Sequence, residues 1–457
     1  MEQSTSTPRE GRMTTVAEHQ AAVETLLEPL AVALRDPRSA ERLELTADDM
    51  VARPERYRDR VLAIDVAAAI DLPPFDNSQM DGYAVRVAEL AGATSETPVR
   101  VRVAATIAAG DRVSTLAVGT AAPIMTGAPI PSGADAVVPI EQCDPPRFPA
   151  AVHSSGVTQS SGDTAALLTP HAVGFVTPPA RGAYVRAAGS DLRAGSTLLA
   201  AGTHLGPAQW GVLASCGVVG VPVRRRVRVL LLSTGHELKK PGEPLESGQI
   251  YDGNTSVLTV ALAECGAVVR AAMLPDNPAD VVAALAASAG EIDLVVSTGG
   301  VSAGAFEVVR EALEPAGVTF GPVAMQPGGP QGLGIARFAA ADDRETFSLP
   351  IVAFPGNPVS TLVSFEMFLR PVLRKIAGLR AARTVARLPL VEAVDSPVAK
   401  HQVRRGVLND AGAIELIGGP SSHLLHSYAL STLLVHLPVG VGHAAVGDLV
   451  ETWRIDD

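Results

Sequence analysis

A repeated succession of apolar strand, polar loop and helix between residues 224 and 378 constrains the fold of this chain more than any other feature. Apolar runs at 227–232, 292–297 and 351–354 are each followed by a loop of small and polar residues and then by helical periodicity. Such alternation predicts right-handed crossovers and a parallel sheet covered by helices on both faces. Ligands of these sheets bind at the carboxyl ends of the strands, so we expect the three loops to line one crevice.

Capping residues predict where the helices of this region begin and end. A helix is expected from about Thr255, capped by Asn254 and closed by Gly266. Asn277 followed by Pro278 predicts the start of the next helix. The remaining predicted helices are 14–37, about 306–313 and about 359–377.

The segments on either side of this region have a different texture. Valine-rich runs broken by Gly and Pro at 71–142 predict a compact β domain, and 384–457 predicts a second, small C-terminal one. Residues 144–183 are rich in Pro, Ser, Gly and Ala with little periodicity, which predicts a long exposed loop. Residues 1–12 are expected to form a disordered tail.

Charge and composition exclude several classes of function. A formal net charge of −11 and an aromatic content of 4% argue against a protein that binds nucleic acid. The three cysteines lie far apart, which fits neither a zinc site nor a disulfide framework. The N-terminus is polar, and no apolar run reaches the roughly 20 residues of a membrane helix. We therefore expect a cytoplasmic protein without membrane insertion.

Two polar segments carry candidate ligands for a cation or a phosphate. Asp76 and Asp81 lie among Asn, Ser and Gly, and carboxylates are the hard oxygen ligands that Mg²⁺ prefers. The alternative is a turn rich in side-chain caps. In the second segment, 233–237 (Ser-Thr-Gly-His-Glu), small residues at a strand end allow backbone N–H groups to approach a phosphate. The alternative for His236 alone is a solvated loop histidine.

Two further strand-end loops are rich in glycine. Residues 297–304 contain the G-x-S-x-G pattern, with Ser302 as the serine, that marks the nucleophile elbow of α/β-hydrolase-like serine esterases. An elbow serine ends its strand abruptly, whereas 298–300 already form a loop, which favours an anion-binding cradle. In 355–358 (Pro-Gly-Asn-Pro), Gly356 permits close backbone approach, although a plain strand-to-helix turn would also explain this string.

Taken together, these strings resemble one family, the molybdopterin molybdenumtransferases, called MoeA in bacteria and the gephyrin E domain in animals. The matching strings are PPFDNSQMDGYAV, IMTGAPIPSGADAVVPIE, STGHEL with PGEPL and GQIYDGN, DLVVSTGGVS and FPGNPVSTLVSFE, and they occur in the order of the family. The similarity runs from about residue 20 to the C-terminus and includes RRGVL at 404–408 and SSHLLHSYAL.

The resemblance implies a fold, an activity and partners. Members are elongated homodimers that bind adenylylated molybdopterin and molybdate, insert the metal, release AMP and require a cation such as Mg²⁺. The implied fold is a multidomain α/β chain with a central parallel α/β sheet domain, two smaller β domains and an N-terminal helical linker domain. The implied boundaries are 13–70 with about 165–205 for the linker, 71–164 for the inserted β domain, 206–382 for the α/β molybdopterin-binding domain and 383–457 for the C-terminal domain.

The resemblance also assigns candidate site residues. Asp81, Asp276 and Glu307 match acidic positions of the family, and their expected work is to hold the cation and orient molybdate. The expected substrate-binding residues are Thr234, Gly235, His236, Glu237, Thr298, Gly299, Gly300, Ser302, Pro327, Gly328, Pro355, Gly356, Asn357 and Pro358.

The chain departs from the family pattern mainly by losing positive charge. Residues 326–330 read Gln-Pro-Gly-Gly-Pro where the family has Lys-Pro-Gly-Lys-Pro, and Pro322 replaces a further lysine. Other departures are His236 for Asp, Glu307 for Asp, Ser190 for an acidic residue and Pro123 for Arg.

An oxyanion and a pyrophosphate need compensating charge, so these losses leave two functions open. The first is the enzyme, with a substitute cation such as Arg310, Arg337 or His236. The second is a catalytically impaired dimeric scaffold that kept the fold.

Overall fold

The structure of the protein is a computed structural model that describes residues 13–148, 172–302, 307–339 and 346–456. The chain divides into two compact units. The first unit comprises residues 1–64, 201–206 and 221–457, and the second comprises residues 65–200 and 207–220. The disordered tail predicted for residues 1–12 lies outside the described residues.

A six-stranded sheet forms the centre of the first unit. Its strands in chain order are β1 (Arg228–Thr234), β2 (Val268–Leu274), β3 (Leu294–Thr298), β4 (Val318–Pro322), β5 (Pro330–Ala339) and β6 (Thr346–Phe354). Their order across the sheet is β2-β1-β3-β6-β5-β4. Strands β1, β2, β3 and β6 are parallel, which confirms the parallel sheet predicted from the apolar runs of β1, β3 and β6.

Strands β4 and β5, which none of the predicted apolar runs covers, complete one edge of the sheet in an antiparallel arrangement. Strand β5 runs antiparallel to both β4 and β6. The reason is the length of the connections, because a parallel pair needs a crossover of a dozen or more residues and no helix separates β4, β5 and β6 in the described parts of this region.

Helices cover both faces of this sheet, as predicted. They are α1 (Gly253–Glu264), α2 (Pro278–Ala287), α3 (Val308–Leu313), α4 (Pro358–Ser364) and α5 (Arg370–Ala377), with a π-helical turn at Phe365–Leu369 between the last two. Helix α2 is capped by Asn277 as predicted. Helix α1, however, is capped by Asp252, whose side chain accepts from the backbone N–H of Thr255, so the predicted cap at Asn254 is wrong.

Alternate residues of each central strand enter two separate cores, one on each face of the sheet. Val229 and Leu231 of β1 pack with α1, α4, α5 and the N-terminal helix Val16–Arg35. Leu230 and Leu232 pack with α2 and α3 on the other face. The N-terminal helix matches its prediction and begins at a capping box formed by Thr15 and Glu18.

The remainder of the first unit contains a C-terminal sheet and short elements. The strands of that sheet are, in spatial order, Met325–Gln326, His401–Leu408, Leu433–Leu437, Leu449–Arg454 and Val385–Pro389, with Ile414–Leu416 paired to His401–Leu408. The short elements are strands Glu41–Glu44, Arg60–Val61, His204–Leu205, Leu238–Lys239, Ile250–Tyr251, Val394–Asp395 and His443–Ala444, helices Ala47–Ala52 and Leu425–Ala429, and 3-10 turns Pro37–Ser39 and Pro54–Arg56. Strand Gly220–Val223 lies at the boundary of the two units.

The second unit is built on a six-stranded sheet, as the valine-rich pattern predicts. Its strands in spatial order are Ala136–Pro139, Gly82–Val85, Thr120–Ile124, Val99–Val103, Ala172–Phe175 and Cys143–Asp144. The other elements are strands Val66–Ala67, Asn77–Ser78, Val185–Arg186 and Thr197–Leu199, helix Pro207–Ser215, and 3-10 turns Val87–Leu90 and Ile140–Gln142.

This sheet corrects the long exposed loop predicted for 144–183. Ala172–Phe175 is a strand that pairs with Val99–Val103, and Val173 and Phe175 are buried in the core of the unit. A four-residue strand that contains a glycine is too short to show a clear alternation of apolar and polar residues. Its strand conformation depends on pairing with a neighbouring strand more than on its own sequence. The part of the predicted loop at 149–171 lies outside the described residues.

Candidate functional site

The loops that follow β1, β3 and β6 line one cleft at the carboxyl ends of these strands. The cleft has a volume of about 780 Å³, and Thr234, Gly299 and Gly356, one from each loop, all line it. The convergence predicted from the strand–loop–helix pattern is therefore confirmed. The amide Nδ2 of Asn254 donates to the Gly356 carbonyl at 2.6 Å and ties the start of α1 to the loop after β6.

Most of the residues that the sequence nominates lie in this cleft. Those that line it are Thr234, Gly235, Glu237, Asp276, Thr298, Gly299, Gly300, Ser302, Glu307, Pro327, Gly328, Pro355, Gly356, Asn357 and Pro358.

Two nominated residues do not line the cleft. His236 contributes its backbone N–H, which donates to Asp276 Oδ2 at 2.8 Å, but its imidazole is 76% exposed and its Nε2 lies 3.7 Å from the same oxygen. The exposed side chain of His236 therefore fits the alternative interpretation, a solvated loop histidine, better than it fits a ligand-binding group. Asp81 belongs to the second unit, where its Oδ1 accepts from the backbone N–H and the hydroxyl of Thr126 at 2.7 and 2.8 Å. The backbone hydrogen bond, followed by the hydroxyl bond, lowers the pKa of Asp81.

The glycines after β3 fit a backbone cradle rather than a catalytic serine. Gly299 and Gly300 both have positive φ, at 85° and 64°, and a Cβ on Gly300 would lie 2.9 Å from the backbone N of Val309. Only glycine fits this turn. In the part of the chain that the structure describes, Ser302 has no hydrogen bond to a histidine or carboxylate that would activate it as a nucleophile.

The cleft carries more negative than positive charge. Its described lining has four acidic residues, Glu237, Asp252, Asp276 and Glu307, and the only lysine or arginine among the same residues is Lys400. Asp252 is engaged as the cap of α1, with hydrogen bonds from the N–H and the hydroxyl of Thr255.

Several lining residues were missed by the sequence reasoning. Lys400 and the segment 420–423 come from the C-terminal region, and the carbonyl of Ser422 accepts from the backbone N–H of Val359 at the start of α4. The family resemblance assigned the SSHLLHSYAL string, which begins at residue 421, only to the C-terminal domain. No rule of sequence spacing predicts that this string reaches the loops that follow β1, β3 and β6. Gln326 also lines the cleft, and its Oε1 accepts from Gln402 Nε2 at 2.8 Å.

The acidic residues of the cleft suit a hard cation but do not form a complete protein cage. Asp276 and Glu307 are two carboxylates in one cleft, and Mg²⁺ is usually held by one or two carboxylates together with substrate phosphates and water. Within the described residues, no group of three or more His, Cys, Asp or Glu side chains is arranged to hold a metal ion. The cation site at Asp81, Asp276 and Glu307 therefore stays a prediction.

No helix in the described ranges combines the length and apolarity needed to cross a membrane.

Two segments of the chain match models of known protein families. Residues 14–217 match the MoeA N-terminal region (domain I and II), and residues 230–375 match a probable molybdopterin binding domain. Molybdopterin molybdenumtransferase 2 of Mycobacterium tuberculosis is 42% identical over 406 residues, which cover 86% of this chain and 92% of that protein. The molybdopterin molybdenumtransferase of Synechococcus elongatus is 35% identical, with 95% of this chain and 99% of that protein covered.

A solved structure extends the similarity to the fold. The crystal structure of the molybdopterin biosynthesis MoeA protein from Pyrococcus horikoshii superposes with a TM-score of 0.70 at 26% identity, and the match covers 94% of this chain and 98% of that one. Sequence similarity over nearly the full length and a shared multidomain α/β fold agree with the cleft described above. The chain therefore belongs to the molybdopterin molybdenumtransferase family.

Proposed function

We propose that this protein inserts molybdenum from molybdate into adenylylated molybdopterin and releases AMP. The observation that carries the proposal is the convergence, in one cleft, of the loops that hold the family strings, among them STGHE, STGGVS and PGNP. A volume of about 780 Å³ is in the range of pockets that enclose a ligand of nucleotide size.

The chain supplies binding groups for an anionic substrate mainly through its backbone. The Gly299–Gly300 turn and the loop at Gly356 bring peptide groups close to the cleft without side chains in the way. Lys400 adds one fixed positive charge. Asp276 and Glu307 would hold Mg²⁺, which when bound neutralises phosphate charge. Asp81 is proposed as a further acidic residue of the reaction on the basis of the string in which it lies.

A homodimer in the cytoplasm is the proposed working form, as the family resemblance implies. Adenylylated molybdopterin and molybdate are its proposed partners.

One observation supports a second candidate function, a dimeric scaffold without activity. Where the family has a lysine, Gln326 is held by Gln402 in a neutral pair, so that part of the cleft has no charge with which to attract an oxyanion. A scaffold needs the fold but not the charge.

Molybdenum insertion into purified adenylylated molybdopterin distinguishes the two functions. We expect turnover that requires Mg²⁺ and that depends on Mg²⁺ concentration more steeply than in a relative that carries both lysines. Turnover by that relative but none by this protein at any Mg²⁺ concentration would reject the enzyme and support the scaffold.

A further inference from the structure

The loop at residues 326–330 lies along the cleft with its glycine carbonyls turned into the protein. Gln326, Pro327, Gly328, Gly329 and Pro330 all line the cleft. The Gly328 carbonyl accepts from Gln331 Nε2 at 2.6 Å, and the Gly329 carbonyl accepts from the backbone N–H of Val323 at 2.7 Å. Both carbonyls are thus bound by groups of the protein itself.

Gln331 is buried directly behind this loop. It is 2% exposed, and its Nε2 donates to the hydroxyl of Ser364, the last residue of α4, at 2.7 Å as well as to Gly328. Because a carbonyl can only accept, the amide nitrogen rather than the oxygen must face Gly328. Its Oε1 is buried with no hydrogen-bond partner among the described residues. Burying an amide is costly, and this amide uses its donors to fasten the loop to α4.

Peptide geometry then sets the direction of one N–H group. The Gly328 carbonyl and the Gly329 N–H belong to the same trans peptide and point in opposite directions. With the carbonyl held by buried Gln331, the Gly329 N–H is directed away from Gln331 and Ser364, and Gly329 itself lines the cleft. This N–H has no acceptor within the described parts of the chain.

Glycine at 328 is required for this arrangement. Its φ is +96°, and a Cβ there would lie 2.8 Å from the Ser364 hydroxyl that Gln331 also binds. The residues Gly328, Gln331 and Ser364 therefore form one packed unit.

We propose that Gln331 is a positioning residue for oxyanion binding: by holding the Gly328 carbonyl, it presents the Gly329 N–H to an oxygen of molybdate or of a substrate phosphate. The inference rests on the proposed function. It also follows from the charge of the cleft, where four acidic residues face a single lysine in the described lining. Because this lining offers only one positively charged side chain, an oxyanion must be bound largely by neutral backbone N–H groups.

The test removes the donor of Gln331 in two ways. Gln331→Met keeps the length of the side chain without any polar group. Gln331→Glu keeps its shape but removes the NH2 donors, so it can hold the Gly328 carbonyl only when its carboxyl group is protonated. Molybdenum transfer is measured at varied molybdate and at varied molybdopterin substrate, giving a separate KM for each. We expect one KM to rise about tenfold or more, the range for one hydrogen bond to a charged group, with kcat changed less than about threefold. The KM that rises identifies molybdate or the substrate phosphate as the oxyanion.

A matched control separates positioning from stability. Ile351 of β6 is fully buried opposite Gly334 of β5, and Ile351→Val loosens the same sheet without touching the loop. It should lower the thermal unfolding midpoint and leave both KM values unchanged. If Gln331→Met behaves in the same way as Ile351→Val, the proposal is overturned.

Anion binding can be measured even if the protein has no transferase activity, so failure of the proposed function can be distinguished from failure of this inference. If the wild type transfers no molybdenum, calorimetric titration with molybdate and with inorganic phosphate still tests the subsite. A Kd that is about tenfold weaker in Gln331→Met supports the proposal, whereas equal Kd values, or binding of neither anion by the wild type, overturn it.

Discussion

Asp276 joins the loop after β2 to the loop after β1 and also lines the cleft. Its Oδ2 accepts from the backbone N–H of His236 at 2.8 Å. Asp276→Asn keeps an oxygen that can accept this bond, so the loops should stay in place while the charge is lost. We expect kcat for molybdenum insertion to fall at least about 100-fold, the scale of losing one electrostatic group in an active site. Asp280→Asn on α2, which lies outside the described lining, should remain near wild-type activity.

Lys400 is the one described cleft residue that carries a fixed positive charge. Lys400→Met removes the charge and keeps most of the side-chain volume. We expect the KM for the anionic substrate to rise about 10- to 100-fold, the range for hydrogen bonds to charged groups. Lys375→Met on α5 is the control, since Lys375 is not a lining residue of the cleft. Equal KM values for the two variants would contradict a role for Lys400 in substrate binding.

Gly329 offers the opposite experiment, in which charge is added. Its φ lies outside the left-handed region, and the nearest atom to a Cβ at this position would be the Val323 carbonyl oxygen at an ordinary 3.5 Å. Gly329→Lys should therefore fold and bind molybdate more tightly, measurable as a lower Kd by calorimetry. Gly300→Ala, which places a Cβ 2.9 Å from the Val309 backbone, should instead lower the unfolding midpoint. Weaker molybdate binding in Gly329→Lys would show that the site rejects charge at this position.

The carboxylate of Asp293, whose side chain is 7% exposed, joins the starts of β1 and β3. Asp293 Oδ2 accepts from Arg225 at 2.6 Å, and Oδ1 accepts from Arg228 at 2.8 Å. Burial alone would raise the pKa of Asp293, but the hydrogen bonds from Arg228 and Arg225 outweigh burial and lower it to about 2.

A carboxylate with a lowered pKa stabilises the fold above its unfolded pKa of 3.8 and loses that contribution as pH falls toward about 2. Asp293→Asn should therefore lower the free energy of unfolding by about 2 to 3 kcal/mol at pH 7, since two arginines lose their partner. The loss should shrink as the pH falls through the interval from about 4 to about 2, measured by urea denaturation at each pH. A pH-independent difference would mean that packing rather than charge is responsible.

The elements show how far local sequence signals reach. Strands β1, β3 and β6 were predictable because each is an apolar run long enough to cross a buried sheet. The α2 cap at Asn277 was predictable because Pro278 fixes the first helical turn. The α1 cap was not, because Asp252 and Asn254 are both good capping residues and the sequence ranks them equally.

The cleft combines segments of the chain that no local sequence rule connects. The α/β loops were predictable because carboxyl ends of parallel strands meet at one edge. The positions of Lys400 and residues 420–423 in the cleft were not predictable, because they depend on the C-terminal sheet. In that sheet, Met325–Gln326 pairs with the start of His401–Leu408 and so brings this part of the chain to the cleft. The antiparallel edge at β5 was likewise set by connection length rather than by any pattern within the strand.

The family resemblance implies that two copies of the chain assemble into a homodimer, and we expect this assembly in solution. The C-terminal sheet has a small core of its own, and Val398, Val439, Val446 and Leu449 near it are more than half exposed. Small cores leave much apolar surface, and a symmetric contact between two copies would cover part of it. Light scattering at micromolar concentration should give twice the mass of the 457-residue chain. A wild-type monomer at every concentration would contradict the dimer.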